Sequence, residues 1–125
     1  MEVWQRSRTL SNKIYHVSSE KTFKRDFSLK DQINRASGSI MDNIAEGFER
    51  GGNLEFINFL TYSKGSSGEV QSQLYRALDR EHITQQEFDE LIVEAQVIGR
   101  ELNGFITYLK GSNLRGFKFK DRKLK

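Results

Sequence analysis

Residues 27–53 read FSLKDQINRASGSIMDNIAEGFERGGN, and the spacing of their apolar residues decides the fold. Leu29, Ile33, Ala36, Ser37, Ile40, Ile44 and Gly47 fall on one stripe at 100° per residue, which is the signature of an amphipathic helix. Ser28 is a candidate N-cap, with Asp31 as a short stand-in for the glutamate of a capping box. Gly51-Gly52 supplies the left-handed backbone that ends a helix near Arg50. Small and polar residues, Ser37-Gly38-Ser39 and Asn43 to Gly47, are embedded in this apolar spacing.

Upstream, Val3, Trp4, Leu10, Ile14, Tyr15 and Val17 recur at helical spacing, with Ser7, Ser11 and Ser18 on the same side, so a first helix spans about 3–19. Arg6 and Lys13 sit on its far side, and 21–26 reads as a charged connection. Downstream, Asn53 can cap a third helix whose stripe of Phe56, Phe59, Leu60, Ser63, Ser67, Val70, Leu74, Ala77 and Leu78 persists across Gly65-Ser66-Ser67-Gly68. Each of those two glycines costs about 1 kcal/mol relative to Ala, so close packing is expected there. Thr84 and Glu87 form the capping box of a fourth helix, with a stripe from Phe88 to Leu109 and a stop at Lys110-Gly111. Four helices with short connections predict an all-α, antiparallel up-down-up-down four-helix bundle over 1–110, followed by a basic tail, 111–125.

Composition agrees. The chain has 125 residues without proline or cysteine, which leaves long helices unbroken and excludes a disulfide framework or thiolate metal site. The polar start MEVWQRSRTL carries no signal peptide and no span, so a soluble cytoplasmic protein with no membrane partner is expected. Net charge is +3, but six cations against Asp121 give the tail +5 and leave the body at −2. Residues 1–35 hold eight cations and four acids, whereas 36–110 hold six and twelve, a polarised distribution suited to phosphate binding or to matching between subunits.

Catalytic motifs are absent. The two histidines, His16 and His82, lack the repeated Glu-x-x-His of a di-iron bundle, and neither a nucleophile elbow nor a phosphate loop occurs. No enzyme, metal or cofactor is expected. Val93, Val97, Gly104 and Tyr108 align on the fourth helix opposite its core stripe; scattered surface apolar residues are the ordinary reading, and alignment over four turns favours a homo-oligomeric interface over it. Arg35, Ser39, Asp42 and Glu46 on the second helix and Glu69 on the third form a polar outer face. Its ordinary role is a solvated, ion-paired surface; in an oligomer the same residues become contacts between subunits.

For phosphate contact the candidates are Arg6, Arg8, Lys13, Lys24 and Arg25, with Arg115, Lys118, Lys120, Arg122, Lys123 and Lys125 of the tail. Phe117 and Phe119 alternate with lysines there, in a pattern open to a short strand, a disordered solubilising tail, or stacking on unpaired bases.

Trp4-Gln5-x-Ser7-Arg8-x-Leu10, Ile14-Tyr15, Gln32-Ile33-x-Arg35-Ala36-x-x-Ser39-Ile40-x-x-Asn43-Ile44-Ala45-Glu46-Gly47, Phe59-Leu60 and Gly65-Ser66-x-x-Glu69 together resemble the four-helix-bundle family encoded in intervening sequences of bacterial 23S ribosomal RNA genes, also labelled S23 ribosomal protein. The likeness runs to about Lys110 and is most specific over Ser39 to Gly47. It implies a left-handed bundle assembled as a homopentamer. It also implies kinship with the accessory variability proteins of diversity-generating retroelements, basic pentameric barrels that bind a reverse transcriptase and nucleic acid. RNA or a nucleic-acid-processing protein is the partner class this implies, and a scaffold ring binding another protein is the alternative.

Overall fold

The computed structural model describes the backbone of residues 1–124 and the side chains of residues 1–112. Among the described residues there are four α-helices and no strand: α1 (Glu2–Ser18), α2 (Phe27–Arg50), α3 (Asn53–Asp79) and α4 (Gln85–Leu124). A short 3₁₀ turn, Phe23–Arg25, joins α1 to α2. Helix α1 packs against α2 and α4, and α3 against α2 and α4, so the helices surround one core in chain order. The α2/α3 seam therefore lies across the bundle from the α1/α4 seam.

That core is made by the predicted stripes. Leu10, Ile14, Ile33, Ile40, Ile44, Leu60, Val70, Leu74, Ile98 and Leu102 are fully buried. The serines among them are buried too, and their hydroxyls are satisfied by backbone carbonyls: Ser7 donates to Val3 O at 2.7 Å, Ser63 to Ile40 O at 2.7 Å and Ser67 to Ala95 O at 2.8 Å. The last two bonds cross between helices, so small residues let the backbones approach while leaving no hydroxyl orphaned. This is why α3 stays helical through Gly65–Gly68. Gly47 has a comparable role, because a Cβ there would meet Phe59 Cβ at 2.7 Å.

The capping box of α4 forms as predicted. Thr84 N donates to Glu87 Oε1 at 2.8 Å, and Glu87 N donates to Thr84 Oγ at 3.1 Å. Gly51 ends α2 with φ of 82°.

Several sequence expectations are corrected. The N-cap of α2 is Asp26, whose Oδ1 accepts from Leu29 N at 3.3 Å; Ser28 lies inside the helix and accepts from Gln32. Gly52, with extended backbone, is the N-cap of α3, and Asn53 is already helical. Tyr15 is exposed and Phe59 only half-buried, while Ile57 and Phe23, outside the predicted stripes, are buried. Helix α4 does not stop at Lys110-Gly111. Gly111 lacks the positive φ that a left-handed stop needs, and the backbone continues as helix to Leu124, which replaces the short strand considered for the tail.

Candidate functional site

Two seams of the bundle carry the predicted residues. At the α1/α4 seam, Arg6 Nε lies 2.7 Å from Glu101 and its Nη2 2.8 Å from Glu2. Further along the same seam, Lys13 Nζ reaches Glu94 at 2.8 Å and Glu90 at 3.1 Å. Hydrogen bonds to Glu94 and then to Glu90 hold the Lys13 ammonium above its ordinary pKa. Both cations therefore tie α1 to α4. A groove of about 400 Å³ opens between the helices, with Gln5, Arg6, Thr9, Val93, Val97 and Ile98 along it. Val93 is 53 % exposed and Tyr108 63 % exposed, so the second apolar face of α4 does reach solvent in the single chain; Val97 is half-buried at the groove.

The remaining body cations do not join this pair. Arg8, two residues from Arg6, projects about 200° further round α1 at 100° per residue. Its guanidinium lies 6.0 Å from the centroid of the Trp4 ring. Lys24 and Arg25 are on the 3₁₀ turn, Lys24 exposed and Arg25 exposed beside it. The backbone carries Arg115, Lys118, Lys120, Arg122 and Lys123 on the extension of α4, with their side chains outside the described residues; Lys125 lies wholly outside them.

At the α2/α3 seam the structure brings Arg35, Ser39 and Glu69 to one polar groove of about 310 Å³, shared with Gln32, Ser66 and Gln73. Ser39 Oγ accepts from Asn43 Nδ2 at 2.9 Å and from Ser66 Oγ at 3.0 Å. Gln32 Oε1 accepts from Arg76 at 2.9 Å, and Arg35 pairs with Asp31 at 3.2 Å. Glu46 pairs with Arg50, and Asp42 is exposed beside this face. Gln73, not singled out from sequence, is only 7 % exposed, and its Oε1 has no hydrogen-bond partner. The available signal was its helical register, one turn beyond Glu69 and two turns beyond Ser66.

A third cluster was also missed. Asp26 Oδ2 accepts from Arg80 at 2.8 Å and from His82 Nε2 at 2.9 Å, while Thr22 Oγ lies 2.9 Å from His82 Nδ1 and Phe23 stacks on the imidazole at 5.1 Å. Both Asp26 oxygens are occupied, one by the α2 cap, so the cluster is a tie between two connections of the bundle. The His82 hydrogen bond, then that of Arg80, lowers the Asp26 pKa from 3.8 to about 2. Since the folded value lies below the unfolded one, this stabilisation is complete above about pH 4 and is lost as pH falls toward 2. Acid unfolding followed by circular dichroism should thus be shallower between pH 4 and 2 for Asp26→Asn than for the parent; parallel curves would contradict the tie.

Among the described residues no group of three or more acids or histidines is placed to hold a metal ion, and no helix is long and apolar enough to cross a membrane.

Residues 1–104 match the family of 23S rRNA-intervening sequence proteins. The chain belongs to this family. The matched region of this intervening-sequence protein holds both seams and every candidate residue of the body except Tyr108, and it ends before the tail cations. Among solved structures, a protein of unknown function from the S23 ribosomal protein family of Bacteroides thetaiotaomicron VPI-5482 is similar in fold, with a TM-score of 0.77 and 23 % identity over 83 % of this chain and 97 % of that one. No curated protein matches the sequence.

Proposed function

We propose that this intervening-sequence protein is a non-enzymatic, antiparallel up-down-up-down bundle that closes into a ring of identical copies, five by family resemblance. In the cytoplasm the ring acts as an accessory to RNA or to a ribonucleoprotein, in the manner of the accessory proteins of diversity-generating retroelements. The alternation of direction is supported by the cross-helix pairs, in which the partner's number falls as the residue number rises. Gln32 meets Arg76 and Ser39 meets Ser66 between α2 and α3. Lys64 meets Asn103 and Ser67 meets Ala95 between α3 and α4, and Arg6 meets Glu101 and Lys13 meets Glu90 between α1 and α4.

One observation carries the ring. The apolar outer face of α4 and the polar α2/α3 groove lie on opposite sides of the bundle. A two-fold dimer buries the same patch on both partners, whereas two different patches facing apart make a head-to-tail contact, which closes into a ring when the rotation permits.

Nucleic-acid contact rests on the tail, because Arg6 and Lys13 are already paired with acids and the body sums to −2. Those same ion pairs favour the second reading, a scaffold ring that binds a protein partner. Binding to structured RNA, measured against salt concentration, separates the two. The RNA reading expects affinity to fall steeply with salt. It also expects deletion of residues 112–125 to flatten the slope by roughly 0.7–0.9 for each phosphate that the tail had neutralised. Absence of binding at low salt would leave the scaffold.

A further inference from the structure

We infer that Tyr62 of one copy seats on Gly104 of the next, while Val97 of that next copy packs against Gly65 of the first; this rests on the ring reading above, with the bundles standing along the ring axis. Two glycines point to the contact. Gly65 and Gly104 both lie inside helices and are exposed, and a Cβ added at either would meet nothing within 4 Å. Each costs its helix about 1 kcal/mol relative to Ala. Nothing in the single chain needs either gap, unlike Gly47, whose missing Cβ makes room for Phe59. Gly104 also interrupts the outward stripe of α4, leaving a notch with Arg100 and Tyr108 one turn to either side.

Face and height select what fills the notch. Tyr62 is exposed, and Tyr62, Ser66, Glu69 and Gln73 follow at i, i+4, i+7 and i+11, so it stands on the α2/α3 seam, across the bundle from the α4 stripe. Two other exposed apolar side chains near this end do not qualify. Phe48 lines the α1/α2 groove, and Leu54 stands about two turns nearer the end of the bundle. Height follows from the antiparallel pairs within the chain. Ser67 meets Ala95 and Lys64 meets Asn103, so Tyr62 is level with residues 100–105 of α4, a stretch that includes Gly104. By the same count Val97 is level with residues 65–70, which begin at Gly65. A ring closes by rotation without translation along its axis, so neighbouring copies meet at equal heights. The Tyr62 ring is already held edge-on against Phe59 at 5.8 Å, and tyrosine, with two side-chain torsions, loses little entropy on docking. Its apolar body covers the glycine backbone while its hydroxyl stays at the wet edge.

The test fills the notch and removes the knob in the full chain, with assembly read by light scattering across a dilution series and folding by urea unfolding and circular dichroism. Gly104→Leu should leave the single chain as stable as the parent or more so, because leucine is the better helix former and meets open space. The same change should raise the concentration at which the assembly dissociates by about tenfold or more. Tyr62→Ala should weaken assembly to a similar degree. Since the leucine then occupies space the ring has left, the double variant should assemble more tightly than Gly104→Leu alone. An assembled parent whose Gly104→Leu or Tyr62→Ala variant dissociates no more readily overturns the contact and leaves the ring standing. Strictly additive losses in the double variant would mean that the two residues do not meet, and likewise overturn it. A monomeric parent removes the ring and this contact together.

Discussion

Phe23→Ala is expected to destabilise the folded chain by about 3–5 kcal/mol, the usual cost of truncating a buried aromatic side chain and leaving its cavity. Phe23 is 0 % exposed although it sits on a three-residue 3₁₀ turn flanked by Lys21, Lys24 and Arg25. Its ring belongs to the same core as Leu10, Leu29 and Leu74, and one face stacks on His82 at an interplanar angle of 21°. Truncation therefore opens the core and removes a wall of the Asp26 cluster at once. Urea unfolding followed by circular dichroism reads the effect as a lowered midpoint with little change in slope. A loss below about 1 kcal/mol would mean that the turn covers the core without contributing to it.

Val97→Asp is expected to dissociate the assembly while leaving most of the helical content intact. Val97 lines the α1/α4 groove and is half-buried in the single chain, with Glu94 beside it. In a ring it becomes fully covered. A carboxylate there would lie desolvated in an apolar contact and next to an existing acid, and an unpaired buried charge is among the costliest changes an interface can receive. Val93→Asp, at a position already 53 % exposed, separates this effect from loss of folding, because the single chain has little to lose there. Scattering mass and far-UV circular dichroism on both variants decide it: an unchanged assembly would remove this face from the interface.

The helices were legible in the sequence because each stripe repeats over several turns, and repetition outweighs any one residue. Leu29 to Gly47 marked the buried face of α2 position by position, and Thr84 with Glu87 marked the start of α4. Single-residue choices were less legible. Asp26 and Ser28 are both good N-caps two residues apart, and what selects Asp26 is Arg80 and His82, more than fifty residues away in the chain. Phe23, alone among charges, has no periodic partner to mark it as core. Gly111 reads as a stop on composition, yet glycine in a helix costs only about 1 kcal/mol and the backbone runs through it.

The candidate residues divided in the same way. Helical spacing shows that Arg6 and Lys13 share a side of α1, but it cannot show that Glu90, Glu94 and Glu101 meet them there. The polar face of α2 was visible as a set, while its relation to the α4 stripe, opposite sides of one bundle, needed the packing order of the helices. Gln73 was hidden because its missing partner is a property of the folded seam alone.

The ring itself is tested most directly by the mass of the unmodified chain in solution, read by light scattering during size exclusion. The account predicts five subunits of 14.5 kDa in one symmetric species. A single subunit mass at all accessible concentrations would contradict it.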